Sequence, residues 1–112
     1  MGTIDSMDMD EFQKECLATA VYPIDKGVVY CSMGLANEAG EVLGKVKKYI
    51  RGDYGVAEMK TKTVAELGDV LWYAAVLAEE LGVPLSHVAQ RVVNKLEARQ
   101  IMGTLKGDGD NR

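Results

Sequence analysis

The chain has 112 residues, the length of a single domain spanning 1–112 and too short for a full α/β barrel. Hydrophobic residues make up 47% and charged residues 27%, a composition that folds and that lies far from disordered chains. Thirteen Lys and Arg against seventeen Asp and Glu leave a net charge of -4, which argues against broad attraction to nucleic acid or an anionic membrane; any phosphate must be held locally.

The longest apolar run, Val70 to Ala78, is about half the ~18 residues of a membrane span, and the N-terminus lacks the basic-then-apolar order of a secretory signal. Two cysteines, Cys16 and Cys31, with no nearby His to complete a zinc set, read as reduced thiols of a cytoplasmic protein.

The spacing of apolar residues predicts four helices and an all-α four-helix bundle. The first covers about 5–20, with Met9, Phe12, Cys16 and Ala20 on one face, acids in its first turns and Asp5 or Ser6 as cap. Tyr22 and Pro23 break the pattern. The stretch 24–32 contains Val28-Val29-Tyr30 but has no second strand to pair with, so it reads as loop. The second helix covers about 33–50, where Leu35, Ala39, Val42, Val46 and Tyr49 keep a four-three rhythm, and Arg51-Gly52-Asp53-Tyr54-Gly55 ends it.

The third helix starts near Thr61 or Thr63 and runs to Leu81, with Gly82 in the stop position and Pro84 opening the next helix. The fourth covers about 85–102, with Leu85, Val88, Ala89, Val92 and Leu96 on its inner face, before a polar tail over 103–112. The run from Val70 to Ala78 is apolar around the whole circumference of its helix, more than three short neighbours can hide, so a homo-oligomer, dimer or tetramer, is expected.

Glu38 and Glu41 lie three apart on the second helix, and Glu66 and Asp69 repeat that spacing on the third, each pair on one helix face. Like charges so placed repel, and a divalent cation between the helices would compensate them. Carboxylate oxygens without soft ligands suit magnesium, with manganese able to substitute, rather than zinc. Gly40, Gly44 and Gly68 beside these acids cost about 1 kcal/mol each inside a helix, which close approach of ligand or backbone would explain. Two ordinary readings compete: Thr63-Val64-Ala65-Glu66 matches a capping box, and Glu41 can pair with Lys45 four residues on.

On the fourth helix Arg91, Lys95 and Arg99 form a basic stripe with Asn94 beside it, suited to phosphates or simply to the helix dipole. No P-loop and no GxGxxG motif is present, and His87 has no nearby nucleophile. Trp72 and Tyr73 read as core or interface residues, although Tyr73, four residues after Asp69, is placed to stack on a base. Acids able to hold magnesium together with a basic stripe suit a nucleotide polyphosphate.

At these residues the sequence resembles the MazG-like family of all-α nucleoside triphosphate pyrophosphohydrolases. The family's EExxE and ExxD motifs are matched by Asn37-Glu38-Ala39-Gly40-Glu41, which departs at Asn37, and by Glu66-Leu67-Gly68-Asp69. The likeness continues through Asn94-Lys95-Leu96-Glu97-Ala98-Arg99 into the tail and covers about 35–112. It implies magnesium-dependent hydrolysis of a nucleoside triphosphate to monophosphate and pyrophosphate in a homo-oligomer. Glu38, Glu41, Glu66 and Asp69 would bind metal, Glu38 or Glu41 would activate water, and Lys95 and Arg99 with Lys106 and Arg112 would neutralise the leaving pyrophosphate. The competing class is a non-catalytic helical module that binds a nucleotide or a protein, its acids being solvated surface.

Overall fold

The computed structural model describes residues 6–107, and among these it contains helices and no strand. The helices are α1 (Met9–Leu17), α2 (Gly27–Ile50), α3 (Val56–Glu80) and α4 (Leu85–Met102), with a 3-10 turn (Ile24–Lys26) leading into α2. The bounds of α4 are those the spacing predicts. Gly82, at φ 77°, closes the end of α3 as the stop position requires, since that left-handed conformation costs a glycine nothing.

The starts of the other helices differ from expectation. The first is shorter, because Asp8 supplies the cap, its carboxylate accepting the Glu11 N–H at 2.8 Å. The second begins at Gly27 rather than Met33, so Val28-Val29-Tyr30 is helix and not loop. Its β-branched pair hides the helical pattern locally. Tyr30 stacks on Tyr22 at 5.1 Å between ring centroids, and Cys31 is fully buried, so packing overrides propensity. The third begins at Val56, behind Gly55, rather than at Thr61 or Thr63. Thr63 therefore sits inside α3, where it caps nothing, and the capping-box reading of Glu66 is removed.

The longest two helices, α2 and α3, pack as an antiparallel hairpin, while α1 and α4 pack on α3 and on each other, and neither brings its backbone close to α2. The core gathers at one end of this hairpin: Cys16, Cys31, Ala75, Val76, Ala78 and Leu85 are buried, with Phe12, Trp72, Tyr73 and Leu77 packed against them. Most of the run from Val70 to Ala78 is thus covered within one chain, and Leu71 is its exposed member. The uncovered apolar surface lies elsewhere. Val64 and Leu67 on α3 are exposed, and so are Val88, Val92 and Leu96, although the spacing assigns these three to the inner face of α4. Among the described residues no helix is long and apolar enough to cross a membrane.

One buried polar side chain ties α1 to the rest. The Gln13 amide donates to the carbonyls of Val83 at 3.1 Å and Ala75 at 3.2 Å, and its oxygen accepts the Leu85 N–H at 2.8 Å. One turn earlier Asp10 accepts the Ser86 N–H at 2.9 Å and the Ser86 hydroxyl at 2.7 Å. Two of the orphan donors at the start of α4 are therefore satisfied from α1. Gln13→Leu keeps the volume but leaves the Leu85 N–H and the Val83 carbonyl unpaired, at about 1–3 kcal/mol for each buried group. Its midpoint of denaturation is expected to fall by several degrees or more, while Lys14→Ala on the exposed side of the same helix leaves it unchanged.

Candidate active site

Residues of α2 and α3 meet in layers, since stepping four and then three residues along antiparallel neighbours keeps the same faces in contact. At the core end Gly27 meets Glu80, and further along Gly34 meets Tyr73. The layer beyond brings Glu38 to Asp69, with Glu66 one turn away. Ligand oxygens of Glu38, Glu66 and Asp69 all lie within 4.8 Å of one another, Glu38 and Glu66 half-buried and Asp69 exposed. Glu41, exposed and one turn along α2, stands outside this trio.

The trio is electrostatically strained. Partial burial, a hydrogen bond with Glu66, and the charges of Asp69, Glu66 and Glu41 together push the Glu38 carboxyl above its ordinary range. Glu41 thus contributes its field although its oxygens lie apart. Lys45, which sequence spacing offers to Glu41, instead places its ammonium 3.7 Å from Glu66 and offsets part of the charge. Three hard oxygen donors, with no His or Cys among them, fit magnesium or manganese. Closing from 4.8 Å to the roughly 3–4 Å between oxygens around such an ion needs only small side-chain movements.

Beside the carboxylates opens a cleft of about 320 Å³ lined by Thr19, Glu38, Asp69, Trp72 and Tyr73. Trp72 donates its indole N–H to the Thr19 hydroxyl at 2.9 Å, and that hydroxyl donates to the Cys16 carbonyl at 3.0 Å, which pins the indole. Tyr73 stands edge-on to it, 4.9 Å between centroids. Burial, then the charges of Tyr30 and Glu38, hold the Tyr73 phenol above its usual range, so it stays protonated and can donate. Tyr73 is therefore where its spacing from Asp69 puts it.

The basic residues of α4 lie apart from this cleft. Asn94 and Lys95 line a separate groove of about 940 Å³ with His87, Arg91 and four apolar residues. Asn94 accepts a hydrogen bond from Gln90 at 2.9 Å. The expected stripe is not a continuous surface, because Arg99 is only 6% exposed. Lys106 is exposed beyond the end of α4, and Arg112 lies outside the described residues. Gly40, Gly44 and Gly68 have nothing within 4 Å of where a Cβ would stand, so among the described residues no protein atom approaches them closely, whereas Gly27 and Gly34 are closely approached by side chains of α3. Spacing alone does not mark Thr19, Lys45 or Gly34 as site residues; each acts through a helix distant in sequence.

The family model of the MazG nucleotide pyrophosphohydrolase domain matches residues 31–102, which include all four acids. The chain is 46% identical over 114 aligned residues to the Gene 37 protein of Mycobacterium phage L5, covering 95% of this chain and 100% of the relative. No solved structure matches.

Proposed function

We propose that this chain, which belongs to the MazG nucleotide pyrophosphohydrolase family, hydrolyses a nucleoside triphosphate to the monophosphate and pyrophosphate with magnesium. The observation that carries the proposal is the meeting of Glu38, Glu66 and Asp69 from facing helices beside a cleft walled by Trp72 and Tyr73. Those three acids, joined by Glu41 from the next turn, hold the metal, and manganese can substitute. A divalent ion there supplies charge neutralisation to the phosphate oxygens.

The remaining roles fall to the chain itself. Glu38 or Glu41 takes the proton of the attacking water, and for Glu38 the raised proton affinity suits a base. Tyr73 supports the nucleoside. Asn94, Lys95 and Arg99, with Lys106 and Arg112 from the tail, balance the charge of the leaving pyrophosphate. Among the described residues the backbone of α4 does not come close to α2, and Asn94, Lys95, Arg99 and Lys106 do not line the cleft; in this reading a second copy supplies such groups. Homo-oligomerisation is thus part of the proposal, in keeping with a cytoplasmic enzyme acting on free nucleotides.

The test is release of pyrophosphate from canonical and deoxynucleoside triphosphates. Equal amounts of monophosphate and pyrophosphate, absent in EDTA and restored by magnesium, are expected. A nucleotide that binds and is never consumed would instead make the chain a binding module.

A further inference from the structure

In the hairpin layers flanking the core, a glycine on α2 faces a large side chain on α3. A Cβ on Gly34 would lie 2.1 Å from Cε1, 2.4 Å from Cζ and 2.5 Å from Cδ1 of the Tyr73 ring, far inside contact distance. Gly34 precedes Glu38 by four residues and Tyr73 comes four after Asp69, so the ring-on-glycine layer sits one helical turn from the carboxylate layer. Tyr73 also walls the cleft. The ring cannot back away freely, because its edge meets Trp72 and Trp72 is pinned to Thr19.

We propose that Gly34 is a positioning residue whose missing side chain seats the Tyr73 ring against α2 and thereby sets the width of the nucleoside end of the cleft. The functional half of this inference rests on the nucleotide reading above; the seat itself does not. A glycine at an open helix position is improved by alanine, which lowers the backbone entropy lost on folding. At Gly34 the added methyl instead meets the ring, and the ring turns toward the cleft.

Trp72, the one tryptophan of the chain, touches Tyr73 edge-on, so its emission reports the ring without any ligand. The experiment is a double-mutant cycle of Gly34→Ala and Tyr73→Ala on the full chain. It reads Trp72 emission of the free protein, manganese binding by calorimetry, and affinity for the α,β-methylene analogue of the deoxynucleoside triphosphate that the wild type consumes fastest. Gly34→Ala is expected to shift the emission and weaken the analogue about tenfold, the size of coupling between touching residues, while manganese binding stays. In the Tyr73→Ala background the same substitution should change neither emission nor affinity, because the space is vacated.

An equal effect of Gly34→Ala in both backgrounds, or loss of manganese binding along with the analogue, overturns the seat. If Gly34→Ala alone fails to fold, recovery of folding in the double variant supports the seat and failure of both overturns it. A wild type that binds no nucleotide sinks the parent reading, while the emission cycle still decides whether the ring rests on Gly34.

Discussion

Glu38→Gln and Asp69→Asn are each expected to abolish magnesium-dependent hydrolysis while leaving the helical circular dichroism intact. Each substitution keeps the shape of the side chain and removes the charge that holds a cation, and neither residue belongs to the buried core. The metal's contribution to a phosphoryl transition state is several kcal/mol, so the loss should be roughly 10²-fold or more. Stability should move the other way. Glu38 has its proton affinity raised by burial and by its acidic neighbours, so its charged form burdens the fold at neutral pH.

Gln carries no such burden, and without metal Glu38→Gln should melt at or above the wild-type temperature near pH 7. As pH falls through the raised value toward the ordinary glutamate value of 4.5, the wild type becomes protonated and the gap should close. Full turnover in either variant, or a lower melting temperature for Glu38→Gln at neutral pH, would contradict the site. Glu66→Gln belongs in the same series. With Thr63 inside α3 there is no capping box for glutamine to preserve, so this variant too should lose activity.

Local signals were legible and distant ones were not. Glu38, Glu66 and Asp69 of the two acid pairs, the bounds of α4 and the glycine that ends α3 all come from spacing or from one residue's backbone freedom, and the structure brings those three acids together and keeps the bounds and the glycine, while Glu41 stands apart. The starts of α2 and α3 carry no Ser, Thr, Asp or Asn cap, so nothing local marks them. The α2 start is set by tertiary contact instead: the Glu80 carboxylate, hydrogen-bonded by the Tyr22 hydroxyl, occupies the space where a Gly27 side chain would stand. Gln13 reads as one polar residue of an amphipathic helix, and only folding aims its amide at a turn 70 residues away. The same holds for Gly34, whose partner is on another helix, whereas Gly40 and Gly44 near the acids draw attention and face open space.

Leu67→Asp is expected to split the assembly into folded monomers, and Leu77→Asp to unfold the chain. The difference comes from where the structure puts each side chain. Leu77 is mostly covered and packs against the buried cluster of one chain, so a charge there is set against apolar neighbours and loses most of its hydration. Leu67 is 56% exposed, between Val64 at 66% and Leu71 at 42%, and the three share one stripe of α3 that neither α1 nor α4 covers. The radius of gyration, 16.8 Å, exceeds the about 13 Å of a compact chain near this length, as expected for a protomer whose hairpin extends beyond its own core. With 42–66% of each side chain still exposed, burying the rest yields roughly half of the about 1.5–3 kcal/mol of a full burial, so six from two copies supply about 5–9 kcal/mol against an association cost of about 4–15 kcal/mol. A charge at position 67 removes that contribution from both copies at once. Sedimentation velocity at micromolar concentration is the measurement: the wild type should run as a dimer or larger, Leu67→Asp near 12.2 kDa with its helicity kept, and Leu77→Asp without it. A wild type that sediments at 12.2 kDa would end the oligomer proposal, and with it the route by which α4 of a second copy reaches the carboxylates.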